Sequence, residues 1–344
     1  MKKFFLLSVA ATLISSISFA NIRRVGFFGP AVIGVDYGTL QQAHDASTTG
    51  DTIMMMPGTS VQGTITKPLV IIGPGFFLNP SDFVYPGNAG LQANTNSNES
   101  PSGLTFSAGS SNTQVIGCSM YSTSFITAGL TNILFKRCFI GRLAFTTIIF
   151  SQSCSNITFQ QCSVLGTYLF NVSGSPTVTN LAFLNCFFNP QVFLYTGNFS
   201  VSGLLNNCVF VSGSSFDLGV GAWQVSNCIS QVPFTGTNVV YNNNIGTSTQ
   251  FPAGNGNQQN KTWASIFTLT GSYDGKYTLK VGSPAIGAGI NGVTPTDCGI
   301  FGGATPYRLS GIPSVPTIYA LTSPQGTIPA GNTVQVNLST RSNN

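Results

Sequence analysis

Lys136, Arg137 and Arg142 fall within the eight-residue stretch FKRCFIGR (135–142). Three cations around one short segment could hold a sulfate, a uronate carboxylate or a phosphate, because ammonium and guanidinium groups form charge-assisted hydrogen bonds to such oxyanions. A solvated polar turn would use the same residues and hold nothing. The acids that would complete a catalytic set are missing: between residues 101 and 260 Asp217 is the only acid, and there is no His. Acid/base cleavage of a glycosidic bond uses two carboxylates, and one carboxylate makes a poor site for calcium, which takes about six to eight oxygens. We therefore expect no catalytic residue, no metal and no cofactor, and take Lys136, Arg137 and Arg142 as the candidate ligand-binding residues. His44, the only His, stands beside Asp45 and reads as part of the polar face of a short helix. Asp51 follows Gly50 in a turn, where Asp commonly accepts from backbone donors. No phosphate loop, HExxH zinc motif or nucleophile elbow occurs.

The other reactive residues are the cysteines. Six of the eight, Cys118, Cys138, Cys162, Cys186, Cys208 and Cys228, recur at intervals of 20, 24, 24, 22 and 20 residues, and Asn244 continues the series. Their neighbours recur with them. Three residues earlier stand Val115, Phe135, Phe159, Phe183, Leu205, Val225 and Tyr241; five earlier stand Thr113, Ile133, Ile157, Leu181, Gly203, Trp223 and Val239. Two later stand Met120, Ile140, Val164, Phe188, Phe210, Ser230 and Gly246, and six earlier Asn112, Asn132, Asn156 and Asn180 lead the column. Alternation with a period of two marks strands with one buried face. The parity changes between minus three and the Cys, so each unit is two short strands joined by a bend at minus two and minus one, with an Asn suited to a left-handed corner leading in.

A period in this range marks a solenoid. It is too short for helix-pair repeats, and the Leu/Asn spacing of leucine-rich repeats is absent. What remains is a parallel β-helix, in which each coil stacks on the last at about 4.8 Å and like residues form ladders. The unit Asn-apolar-x-apolar-x-x-Asn/Cys-x-apolar resembles the repeat of right-handed parallel β-helix proteins of the pectin-lyase-like superfamily, secreted bacterial type. The opening GTLQQAHDASTTGDTIMMMPGT resembles the start of that group, with Thr39 capping a helix that buries Leu40 and Ala43 and plugs the stack. SPAIGAG (283–289) and DCGIFGG (297–303) resemble its closing motif. The resemblance spans about residues 36–303 and implies an all-β, right-handed parallel β-helix solenoid with an N-terminal cap helix. It also implies an acidic polysaccharide as the ligand class. The superfamily's hydrolase carboxylates have no counterpart here, so enzyme activity is uncertain and leans towards none; if present, it is that of a polysaccharide lyase working through a basic residue.

Residues 76–103 and 247–262 lack the ladder pattern and read as loops out of the stack. Trp223 and Tyr241 fall on ladder positions and read as core, while the facing of Tyr168, Phe193 and Tyr195 stays open. After 304 the character changes. Pro306, Pro313 and Pro316 punctuate a linker, and PTIYALTS and NTVQVNLSTR alternate as a terminal β-hairpin. The expected organisation is thus a signal peptide over 1–20, the capped β-helix over 21–304, and linker plus hairpin over 305–344.

Lys2, Lys3, an apolar run and Ser18-Phe19-Ala20 form the signal peptide, cleaved near Ala20. Beyond it lie 11 basic and 8 acidic residues. That balance is too even for a nucleic-acid partner, and no later stretch is long enough to span a membrane. The expected protein is secreted or displayed at the cell surface. It would be non-catalytic, an adhesin or a glycan-binding or matrix component, whose partner is a polysaccharide or cell-surface glycan. The competing reading is a lyase or hydrolase of acidic glycans. In-register cysteines would lie about 4.8 Å apart and point the same way, which suits stacked free thiols better than bridges or a tetrahedral metal. Export into an oxidising compartment argues for bridges instead.

Overall fold

The computed structural model describes residues 20–26, 31–98, 103–141, 146–172, 175–192, 200–211, 215–324, 331 and 333–343. Residues 1–19, where the signal peptide is expected, and Arg142, Phe193 and Tyr195 lie outside the described residues.

The chain forms an all-β, right-handed parallel β-helix with three sides. On the first side, eleven strands stack in one sheet. The row three residues before each Cys is a single parallel ladder: Val115, Phe135, Phe159, Phe183, Leu205, Val225 and Tyr241 pair in turn, continuing Ile53 and Ile71 of the earlier coils. The second side is a stack of two-residue pairings following each Cys, from Ser119–Met120 to Ile245–Gly246. The third side carries Gly63–Ile65, Gly103–Phe106, Ser122–Phe125 and Thr146–Phe150. The interior is filled by stacked rings. Phe135, Phe159 and Phe183 stack at 4.8 and 4.9 Å, and Phe106, Phe125 and Phe150 at 5.4 and 5.0 Å. In-register stacking follows from strand spacing, which sets like side chains about 4.8 Å apart, close to an offset ring contact.

Two corners flank each first-side strand, and both use left-handed backbone. Asn132, Asn156 and Asn180 have φ of 58°, 54° and 54°. Their exposed amides form a ladder, each donating to the Asn of the coil before at 2.9–3.2 Å. The second corner is the residue before each Cys: Arg137, Gln161, Asn185, Asn207, Asn227 and Asn243 have φ of 54–57°. Asn is the side chain that tolerates this geometry best after Gly.

All eight cysteines are buried and unbridged. The column is one of stacked free thiols, and it does more than fill the interior. Cys162, Cys186 and Cys208 point their Sγ at the carbonyls of Phe135, Phe159 and Phe183 in the preceding coil, at 3.3–3.4 Å. In turn the backbone N–H of Cys138 and of Cys208 donates to the Sγ one coil later, at 3.4 Å. The bend interrupts the backbone ladder, and the next coil's side chain meets the donor and the acceptor left over. Asn244 takes the same two roles with a stronger amide: its Nδ2 donates to Val225 O at 2.8 Å and its Oδ1 accepts from Cys228 N–H at 2.9 Å. That is why Asn can close a series of Cys. Burial raises the thiol pKa of Cys118, Cys138, Cys162, Cys186 and Cys208 well above the usual range, so these thiols are poor nucleophiles.

The helix Leu40–Ala46 closes the N-terminal end, with Thr39 and Gln42 forming a capping box and Leu40 and Ala43 buried. His44 is not on an exposed polar face. It is 2% exposed, its Nε2 accepts from Thr66 N–H at 3.1 Å, and its Nδ1 lies 2.9 Å from Asp45 Oδ1. Its position on the inner turn of so short a helix brings it against the next strand. Asp51 is fully buried, accepts from Asn21 N–H and Thr48 N–H, and pairs with Arg23.

The second side is covered on its outside as well. Phe139, Phe187, Val209, Ile229 and Ile245, one residue after the Cys or Asn, point away from the interior yet are 0–3% exposed. They pack with Phe76, Phe77 and Tyr85 and with Ile266, Tyr273, Tyr277, Ile300 and Tyr307 in a second core. Residues 76–88 thus leave the ladder, as their pattern indicates, but lie against the sheet instead of in solvent. The stretch after 288 runs back along the solenoid as an outer strap: Asn227 bonds Ile290, Asn207 bonds Asp297 and Gly299, Asn185 bonds Ile300 and Gly302, Gln161 bonds Thr305 and Pro306, and Arg137 bonds Ile312. The strap comes close enough that a Cβ on Gly302 would lie 2.9 Å from Asn207 Nδ2. The Pro-punctuated stretch beyond 304 is part of this packing, with Tyr307 and Ile312 buried, before the antiparallel hairpin of Thr317–Thr322 and Asn337–Arg341.

Candidate functional site

Lys136 and Arg137 are adjacent in sequence and diverge in space. Lys136 lies on the outer face of the first sheet, half-buried, its pKa lowered by burial and then by the charge of Arg137. Arg137 occupies the second corner and is 4% exposed. Its Nε donates to Gln161 Oε1 at 2.8 Å, and its Nη1 to Ile312 O at 2.8 Å and Ser314 Oγ at 2.9 Å. The sequence cluster is therefore split between a surface lysine and a corner arginine held under the strap. Two further arginines join Arg137 from far along the chain: Arg308 of the strap and Arg341 of the last strand line one pocket with it. Nothing in the local sequence signals them, because only the return of the strap and of the hairpin beyond it brings them there.

The outer face of the first sheet is the long open surface. Its outward rows are Gln114, Leu134, Thr158, Ala182, Leu204, Gln224 and Val240 beside Ile116, Lys136, Gln160, Leu184, Asn206, Ser226 and Asn242. Among the described residues between 101 and 260, Lys136 is the only charged side chain in these rows. Small residues open a hollow of about 460 Å³ at Ala182, Gly203 and Ala222, edged by Asn180, Gln224 and Asn238. Gly203 is small because the Trp223 ring fills the space beside it: a Cβ there would lie 2.7 Å from that ring and 2.1 Å from Leu181 O. Trp223 is 2% exposed, so its ring serves the core and not a sugar platform.

The carboxylates that the structure describes are dispersed and engaged. Asp36 pairs with Arg24 and Asp51 with Arg23. Asp45 bonds His44 and Gln41, and Asp82, Asp217 and Asp297 accept from backbone N–H groups in turns. Among the described residues no group of three His, Cys, Asp or Glu could hold a metal ion.

Asp274 is the exception in burial. It is fully buried, accepting from Ser310 N–H at 2.7 Å, Asn88 Nδ2 at 2.8 Å, Ser272 Oγ at 3.1 Å and Tyr307 OH at 3.3 Å. It ties the 76–96 loop to the strap. Burial raises its pKa in spite of these donors. A carboxyl that holds its proton more tightly when folded contributes most below the unfolded pKa of about 3.9, and the contribution falls as pH rises through the raised folded value. Asp274→Asn should therefore flatten the slope of melting temperature between pH 4 and 8, although it lowers absolute stability by losing one acceptor. Equal slopes for the two proteins in thermal melts across that range would refute the assignment.

The stacked sides, left-handed Asn corners and Cys/Asn column define the chain as a right-handed parallel β-helix protein, the architecture that the sequence resemblance implies. No protein-family model and no curated protein matches it. Among solved structures, the crystal structure of pectate lyase Pel9A is similar over 83% of this chain and 97% of that one, at 15% identity and a TM-score of 0.47. That likeness transfers no activity and no residue role to this chain. Among the described residues no helix is long and apolar enough to cross a membrane.

Proposed function

We propose that this chain is a secreted or surface-displayed β-helix that binds glycans without cleaving them, as an adhesin or matrix component. The observation that carries this reading is the outer face of the first sheet. It is a long rigid surface rich in amides, hydroxyls and aliphatic groups, with a hollow bordered by Asn180, Gln224 and Asn238 and no carboxylate between residues 101 and 260 other than Asp217. Such groups hydrogen-bond sugar hydroxyls without ionisable chemistry. The apolar leader supports export, and the export route supports an extracellular partner.

The mature chain on a glycan array should retain at least one neutral polysaccharide, and Gln224→Ala together with Asn238→Ala should weaken that binding about tenfold. Absence of binding across the array would sink the glycan reading and leave a structural or assembly role. One observation favours lyase activity as a second reading: Lys136, with its lowered pKa, is a surface base on the same face. Ultraviolet detection of unsaturated uronate products, abolished by Lys136→Ala, would establish that reading at the expense of the first.

A further inference from the structure

The antiparallel hairpin of Thr317–Thr322 and Asn337–Arg341 is a two-stranded sheet of its own. Such a sheet is marginal in water unless a further strand or a packed face supports it. One edge has support: Ala93 N–H donates to Ile318 O at 2.8 Å. The other edge is open. Apart from their pairing with Thr317–Thr322, the backbone groups of 333–341 make no hydrogen bond to the described residues.

The hairpin also carries an apolar face. Leu321 lies opposite Leu338 and Ile318 opposite Thr340, and the register shift between Ile318 and Ala320 keeps both on one side. Val334 and Val336 continue the alternation, and Ile318, Leu321, Val334, Val336 and Leu338 are all 46–58% exposed. Ile318 and Leu321 border a hollow of about 790 Å³ together with Met54 and Pro57, so the first sheet leaves this face unsealed.

Open edges are ordinarily guarded by Lys, Pro or a bulge. TVQVNLST (333–340) has no charge and no proline, and the register shift lies on the opposite strand. The order of residues also selects the strand that fits. In a parallel pair of identical strands Arg341, the one charge of 333–343, would lie beside its own copy. In an antiparallel pair centred on Asn337 it lies opposite Thr333, with Val336 opposite Leu338, Val334 opposite Thr340 and Gln335 opposite Ser339. That register uses the whole of 333–341, puts the aliphatic and β-branched side chains of 334–340 on one face, and opposes no like charges.

We propose that the open edge at 333–341 pairs with the same edge of a second copy of this chain, joining two hairpins into one antiparallel sheet about a two-fold axis. Self-pairing of this kind closes on itself and gives a dimer instead of a filament. The interface goes beyond the glycan reading and stands whether or not the first sheet binds sugars.

Sedimentation of the protein over a concentration series tests it. The expected result is a monomer–dimer equilibrium with the dimer prevailing by about 100 µM, weakened at least tenfold by Leu338→Lys, which guards the edge with a charge. Leu338 is exposed, so matching melts for the two proteins should show the fold intact. The register is tested separately by Asn337→Cys. Directly opposed residues of an antiparallel pair have Cα atoms about 4.5–5.5 Å apart, within disulfide range, and the native cysteines are buried. The variant should therefore form a covalent dimer on oxidation, whereas Thr340→Cys, which faces Val334 of the other copy, should not. A protein that stays monomeric across the series, a dimer indifferent to Leu338→Lys, or failure of Asn337→Cys to bridge would each overturn the proposal.

Discussion

Asn185→Leu should lower the stability of the protein by about 4 kcal/mol, through two independent losses. Asn185 holds φ at +54°, and a leucine in left-handed backbone costs about 1–2 kcal/mol. Its amide also donates to Ile300 O at 2.9 Å and Gly302 O at 2.7 Å and accepts from Thr305 Oγ1 at 3.0 Å, all under a strap that excludes water. A buried group stripped of its partner costs about 1–3 kcal/mol. Asn185→Gly keeps the backbone conformation and loses only the amide, so it should cost roughly half as much. Urea denaturation separates the two, and hydrogen exchange should show strap amides near 297–305 losing protection before the first sheet does. A loss below about 1 kcal/mol for the leucine variant would mean that the corner amides do not hold the strap.

Phe159→Ala should cost about 3–5 kcal/mol, the range for removing a fully buried ring. Phe159 is stacked on Phe135 at 4.8 Å and on Phe183 at 4.9 Å, with planes within 8° and 12°, so its loss removes two aromatic contacts as well as the buried area. In a solenoid each coil touches only its neighbours, so a weak rung in the middle is also a place where cooperativity breaks. The expected result is a lower melting temperature with a broadened or two-step transition. Phe159→Leu keeps most of the volume and should cost less than half as much. Equal effects of alanine and leucine would show that ring stacking is not what joins these coils.

Particular residues show how far the amino-acid order carried. The rows at minus five, minus three and plus two announced the coil because strand geometry repeats every two residues and the turn length was nearly constant. The Asn corners were legible because left-handed backbone selects few side chains. A second signal was present and easily passed over: Phe139, Phe187, Val209, Ile229 and Ile245 make the position after each Cys apolar as well. Apolar residues on both faces indicate a sheet covered on both sides, and that covering is what 76–88, residues 266–285 and the strap supply.

The site was much less legible. Lys136, Arg137 and Arg142 looked like one cluster because they are neighbours in sequence, yet the left-handed turn at Arg137 sends its side chain under the strap, while Lys136 stays on the sheet face. Arg308 and Arg341 could not be joined to Arg137 from spacing, since they lie 171 and 204 residues further on in stretches with no repeat. Periodicity alone was enough for the coil, its corners and the scarcity of acids along it, because those follow from local backbone geometry and composition. The return path of the strap, the burial of Asp274 and the meeting of three arginines were decided by tertiary packing, because long-range burial of an aperiodic segment leaves no regular mark in the order of residues.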